Sequence, residues 1–262
     1  MLRLALILSC LGLPVAACGV ETDCSVGDRS YRIYLPQSDQ PAGALFFAHG
    51  YRGSANGAMR NTAFLRLADD LGMAFVALDA GADDWNLANR PAEPNQAETR
   101  EYGYVAAVID DVSGRMNLDR DQLILTGFSA GGMFVWNIAC GMGEDFAGFI
   151  PYSGTFWFAP PDTCPTPASN VVHIHGTEDR TVPLGGRPIG PTRQGDVPAT
   201  LAMYADHGGF EPMGRVSAPG GMECDERENN DGRILDFCTF AGGHSFTIER
   251  LRYGVDRILA TR

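Results

Sequence analysis

Short apolar runs alternate along the chain with longer stretches of helical spacing. Residues 30–36 (SYRIYLP) and 43–50 (GALFFAHG) read as strands, the second apolar throughout and closed by glycine. Residues 58–72 have helical spacing with a terminal glycine, and 73–80 (MAFVALDA) form another apolar strand. Between 98 and 116, Val105, Val108, Ile109 and Val112 share one helical face while Asp110 and Asp111 point to solvent. The order continues with a strand over 122–127, a helix over 130–141 and strands over 145–154 and 170–176. A helix over 197–209, a strand over 233–243 and an amphipathic helix over 246–260 complete it. Strands apolar along their whole length are buried on both faces, as in a parallel sheet whose connections are helices. The pattern predicts one α/β domain over 18–262, a mostly parallel central sheet covered by helices on both faces. Residues 81–97 and 155–169 are the longest irregular stretches, and both follow strand carboxyl ends, where such sheets bind ligands.

The first 17 residues lie outside this alternation. An early arginine, an apolar stretch and then small residues before Cys18 predict a secretory signal peptide and an extracellular or periplasmic destination. Val15-Ala16-Ala17-Cys18 also fits a lipobox, which would anchor the chain through Cys18. The cysteine count favours free secretion. Without Cys10 there remain Cys18, Cys24, Cys140, Cys164, Cys224 and Cys238, an even set that suits three disulfides in an oxidising compartment. Pairing sequence neighbours gives 18–24, 140–164 and 224–238, one of about 15 possible connectivities. Beyond the leader no run reaches the roughly 18 apolar residues that a membrane span needs. All 20 basic residues are arginine, against 32 acidic ones, and the net charge of −12 argues against nucleic acid or an anionic membrane surface as partner.

Candidate chemistry centres on Gly127-Phe128-Ser129-Ala130-Gly131, a G-x-S-x-G set between the strand LILT and the helical run MFVWNIAC. A strand, a tight turn and a helix in that order lift a serine hydroxyl clear of a sheet. A serine is a weak nucleophile unless a base and an orienting acid accompany it, here in the chain order Ser, Asp or Glu, His. Asp179, in the loop after the strand His173-Ile174-His175-Gly176, is the candidate acid, with Glu178 as the second choice. His244, in the glycine-bracketed loop after the last strand, is the candidate base. His173 and His175 face the same way on a strand and lack a third ligand at metal-binding spacing, so they read as core histidines; His207 reads as an exposed helix end. The backbone N–H groups of Ala130 and Tyr51 are the expected oxyanion donors, with His49 bracing the second turn. Trp85, Phe156, Trp157 and Phe158 are candidate groove aromatics, Trp85 equally a packing residue.

Taken together, the HG-x loop, the LDAGADDWN segment (78–86), the GFSAGGM elbow, HIHGTED-x-x-VP and the final GGH resemble secreted polyhydroxybutyrate depolymerase-like esterases. These are relatives of the feruloyl and acetylxylan esterases of carbohydrate esterase family 1. The resemblance spans about residues 28 to 260 and implies an α/β-hydrolase fold, no cofactor, and Ser129, Asp179 and His244 as a catalytic triad. Tyr51 stands where such proteins often carry a cysteine, a change that leaves backbone donation intact. The implied activity is carboxylic-ester hydrolysis on polyester oligomers, or on plant cell-wall phenolic or acetyl esters. A serine peptidase and a non-catalytic exported binding protein are the rival readings.

Overall fold

Hydrophobic alternation within the strands decides where the helices go. Leu45 and Phe47 face one side of the sheet while Phe46 faces the other, so each apolar strand feeds two cores. The computed structural model describes residues 18–37, 41–116 and 118–261. The expected signal peptide, residues 1–17, lies outside the described residues. Strands are β1 (Cys24–Val26), β2 (Arg29–Tyr34), β3 (Ala44–Ala48), β4 (Ala74–Leu78), β5 (Leu123–Phe128), β6 (Gly148–Tyr152) and β7 (Asn170–Gly176). They continue as β8 (Arg187–Ile189), β9 (Thr192–Gln194), β10 (Glu211–Ala218), β11 (Met222–Glu228) and β12 (Leu235–Phe240). Helices are α1 (Ala55–Met59), α2 (Thr62–Leu71), α3 (Tyr102–Arg115), α4 (Ala130–Gly141), α5 (Val197–Gly208) and α6 (Ile248–Leu259).

Ten strands form one sheet in the order β1-β2-β4-β3-β5-β6-β7-β12-β11-β10. The six from β4 to β12 run parallel, and antiparallel strands finish both edges. One face packs against α3 and α4 through residues such as Val105, Val108, Phe134 and Trp136. The other packs against α1, α2 and α6 through Phe64, Leu67, Leu251 and Val255. Helix α4 is buried on every side, because the irregular chain after β6 covers the flank that solvent would otherwise reach.

Three differences from the sequence pattern have physical causes. The helix expected over 58–72 is two helices, since Asn61 adopts extended backbone and its side chain caps α2 through the Ala63 amide. The β10–β11 hairpin escaped notice because β10 is exposed along nearly its whole length and β11 carries alternating charge. Strands β1, β8 and β9 are only three residues each, too short for an alternation to register. Disulfides join Cys18 to Cys24, Cys140 to Cys164 and Cys224 to Cys238, the pairs expected from neighbouring positions. Among the described residues, no helix is long and apolar enough to cross a membrane.

The Cys140–Cys164 bridge pins the 153–169 segment to the end of α4, closing a loop of sequence separation 24. Loop-closure entropy for that length is about 3 kcal/mol. Replacing both cysteines by alanine is therefore expected to lower the unfolding free energy in urea by about that amount, with a somewhat larger m-value as the released unfolded chain exposes more surface.

Candidate active site

Ser129 sits between the end of β5 and the first residue of α4, with φ 61° and ψ −119°, a left-handed conformation that a side chain resists. Holding a non-glycine residue there costs about 1–3 kcal/mol. The neighbours explain how it is held. A Cβ on Gly131 would lie 1.9 Å from the Ala48 carbonyl oxygen, and one on Gly127 would lie 2.5 Å from that of Gly131. Only glycine lets α4 start this close to β3 and β5. The Ser129 amide donates to the Tyr152 carbonyl at 2.9 Å, fastening the turn to β6. The serine is half-buried and lines an open cleft.

The candidate acid and base lie in the loops that follow two adjacent parallel strands. Gly176 at the end of β7 is in register with Phe240 at the end of β12, so the loops that follow lie side by side. The Glu178 amide donates to the Gly242 carbonyl at 2.9 Å across them. Asp179 is buried; its Oδ1 accepts from the amides of Thr181 and Val182 at 2.8 and 2.9 Å. Nδ1 of His244 lies 2.6 Å from Asp179 Oδ2. Glu178, the second choice as acid, is exposed. The His244 ring packs on Phe128, centroids 4.5 Å apart, which sets it beside the residue next to Ser129. No hydrogen bond links Ser129 to His244 among the described residues; in substrate-free sites such contacts are often long and tighten when the reacting complex forms. Burial disfavours ionisation of Asp179, but the hydrogen bonds from His244, Val182 and Thr181 prevail and hold its carboxyl below the usual value.

The loop after β3 closes in from the other side. A Cβ on Gly50 would come within 3.5 Å of Ser129 Cβ, so the Gly50–Tyr51 peptide lies against the serine. His49 braces this turn, its Nε2 accepting from the Ala80 amide at 3.1 Å, while the Trp85 indole donates to the His49 carbonyl at 2.8 Å. The N–H groups of Tyr51 and Ala130 donate to no backbone carbonyl of the described residues. Both residues line the same cleft of about 620 Å³ as Ser129, together with Met133, Trp157 and Ile189.

Three of the four expected groove aromatics lie off this cleft. Trp85 is fully buried against His49 and Phe134, so it supports the turn after β3 instead of facing the cleft. Phe156 faces a neighbouring cleft of about 440 Å³ beside Tyr102 and Thr99. Trp157 stands between the two clefts and lines both; Phe158 is exposed. His207 is more than an exposed helix end: its ring nitrogens reach Thr163 Oγ1 and the Thr166 carbonyl, each at 2.9 Å. The sequence pattern missed Arg187 and Gln194 of the β8–β9 hairpin, which form a cleft wall. It also missed the buried Glu101, which pairs with Arg29 and accepts from the Asn86 amide, fixing the 79–101 loop beneath Trp85. No polar or charged periodicity marks either feature. Among the described residues, no group of three or more His, Cys, Asp or Glu side chains is arranged to hold a metal ion.

No family model matches the chain. It is 25% identical over 245 residues to "Putative esterase NocK" of Nocardia uniformis subsp. tsuyamanensis, covering 83% of this chain and 70% of that protein. It is also 29% identical over 155 residues to the bifunctional acetylxylan esterase/xylanase XynS20E of Neocallimastix patriciarum, 58% of this chain and 21% of that longer one. Among solved structures, acetyl xylan esterase from Aspergillus awamori superposes with a TM-score of 0.64 at 15% identity, over 90% of this chain and 95% of the other. S-formylglutathione hydrolase from Staphylococcus aureus does so with a TM-score of 0.56 at 15% identity, over 88% and 92%. The shared architecture is the α/β-hydrolase fold.

Two outcomes follow from this packing. Gly131→Ala is expected to destabilise the protein by about 3 kcal/mol, read from chemical denaturation, because the new methyl meets backbone instead of a yielding side chain. Burial lowers the pKa of His49, His173 and His175 from 6.5, so below that pH the unfolded chain binds more protons than the folded one. Stability from these rings is complete above pH 6.5 and declines as pH falls towards their folded values, by up to about 1.4 kcal/mol per pH unit for each ring. Buried Asp236, pushed up to about 6, acts in the opposite sense as pH falls from 6. The urea midpoint should drop below pH 6.5, and His173→Gln should flatten that drop.

Proposed function

We propose that this protein is an exported carboxylic-ester hydrolase in which Ser129, His244 and Asp179 act together. The observation that carries the reading is the convergence of three loops. It is supported by a strained serine, by an imidazole that packs on the adjoining Phe128 and is bound to a buried carboxylate at 2.6 Å, and by the glycine turn after β3 that approaches the serine. Ester hydrolysis also agrees with the names of the two sequence relatives.

In the proposed reaction, Ser129 Oγ attacks the ester carbonyl carbon while His244 Nε2 takes the hydroxyl proton. Charge gathers on the carbonyl oxygen, where the Tyr51 and Ala130 amides would receive it; one such donor is worth roughly 3 kcal/mol in the transition state. The positive end of α4 adds to this. Collapse breaks the carbon–alcohol oxygen bond, and His244 returns the proton to the leaving alcohol. Water then attacks the acyl-enzyme, giving its proton to His244, and the acid departs as Ser129 is reprotonated. Asp179 stays ionised throughout and holds Nδ1–H of His244, so that Nε2 faces the serine.

For substrate, the motif resemblance favours polyester oligomers of the polyhydroxybutyrate type. A second reading, acetyl or feruloyl esters of plant cell walls, is favoured by the likeness to an acetylxylan esterase/xylanase. Trp157 and the apolar Met133 and Ile189 would flank an acyl or aryl group in either case. Ser129→Ala is expected to keep the native melting temperature, lose labelling by a fluorophosphonate probe and lower kcat on short nitrophenyl esters by at least about 10⁴-fold. Turnover equal to that of the unaltered protein would overturn the assignment. Rates on hydroxybutyrate oligomers, feruloyl esters and acetylated xylan decide between the substrates.

A further inference from the structure

Behind Asp179 runs a line of buried polar groups for which the proposed reaction has no use. Trp136 Nε1, on α4, donates to His173 Nδ1 at 3.1 Å. His173 Nε2 lies 3.0 Å from His175 Nδ1, and His175 Nε2 lies 2.8 Å from the Val182 carbonyl oxygen. The same Nε2 is 3.5 Å from Asp179 Oδ2. All three side chains are fully buried.

The polarity of this line is determined at both ends. An indole N–H only donates, so His173 Nδ1 must accept, and a neutral ring then carries its proton on Nε2. That proton makes His175 Nδ1 an acceptor, which leaves the His175 proton on its own Nε2. A carbonyl only accepts, so the far end requires the same arrangement as the near end. Burial keeps both rings neutral, and the charged or titratable groups facing them are Asp179 and His244. Val182 is the junction: its carbonyl takes the His175 proton while its amide donates to Asp179 Oδ1 at 2.9 Å.

We propose that His175 is a positioning residue for Asp179, its Nε2–H tying down the 179–182 turn in a tautomer dictated from Trp136 through His173. The inference rests on reading Asp179 and His244 as acid and base of the proposed triad. Its consequence is that the carboxylate is aimed by a rigid strand and helix as well as by its own loop. A displacement of about 1 Å at a reacting group can cost roughly 100-fold in rate, so a loosened turn should register in kcat.

The test has two arms. Nitrogen-15 NMR of histidine-labelled protein at pH 7 should show His173 and His175 protonated at Nε2, and a strongly deshielded Nδ1–H on His244. Protonation of His175 at Nδ1 would overturn the proposal. In the second arm, His175→Phe should lower kcat on a short nitrophenyl ester by about 10- to 100-fold with KM little changed, and move or broaden the His244 Nδ1–H signal. His175→Gln, which can donate and accept at matching positions, should restore both. An unaltered His244 signal and kcat in a folded His175→Phe protein would refute the idea. Should that variant not fold, Trp136→Phe removes the donor that sets the polarity; mixed tautomers at His173 and His175 with a slower kcat are expected, and unchanged tautomers and rate would refute it. The NMR readings need no turnover, so a protein that hydrolyses no ester would sink the proposed function and leave this inference to be judged separately.

Discussion

Everything at the rim of the sheet depends on how closely α4 approaches β3 and β5. Glycines at 127 and 131 remove the atoms that would keep helix and strands apart, and Ser129 is thereby forced into a conformation with φ 61°. The strain is local, about 1–3 kcal/mol. It is offset by the burial of a helix covered on every side and by the Ser129–Tyr152 backbone bond. A serine on an ordinary turn could rotate away from its partners. Here the backbone fixes where Cβ of Ser129 stands, and the start of α4 brings the positive end of its dipole beside it.

The second constraint is strand order. Because β7 and β12 are neighbours, two loops far apart in sequence run side by side, and a 65-residue separation becomes a 2.6 Å contact between His244 and Asp179. Burying a carboxylate costs several kcal/mol unless charge-assisted or backbone hydrogen bonds replace water. Asp179 has three, from His244, Thr181 and Val182, and they outweigh the desolvation. An acid that stays ionised in a dry place is what an imidazole needs from a partner if it is to gain and lose a proton repeatedly.

Much of this was legible in the sequence, for a stated reason: apolar runs bounded by glycine report buried parallel strands, and a reactive serine at a strand–helix junction demands glycines around it. The helices and central strands fall where their periodicities lie, and the neighbouring cysteines pair as their spacing suggests. What stayed hidden depends on contacts that leave no periodic trace. Trp85 lies in a polar loop and could have faced a ligand; only its indole bond to the His49 carbonyl shows it to be a brace. The β8–β9 hairpin that walls the cleft is too short to alternate, and the β10–β11 hairpin is too polar to look like a strand. Asn61 broke a helix because a side-chain cap competed with continuation, a choice settled by geometry and not by propensity.

The cleft itself says something about how such a site would discriminate. Its floor, with Ser129, Ala130 and Met133, belongs to the rigid elbow and helix, whereas its walls come from the 79–101 loop and the β8–β9 hairpin. Floor residues are fixed by backbone packing that no side chain can alter without cost. The walls are secured by a few side-chain bonds, Glu101 to Arg29 and Asn86 on one side, Arg187 to the Thr181 carbonyl and Gln194 on the other. In the proposed reaction, chemistry and selectivity would thus be carried by different parts of the molecule, joined at Thr181. That residue lines the cleft, donates its amide to the proposed catalytic carboxylate and accepts from the wall arginine through its carbonyl. A substrate group pressing on the β8–β9 wall would therefore act on the turn that aims Asp179. Through that single residue, the fit of a remote part of the substrate would reach the acid without touching the serine.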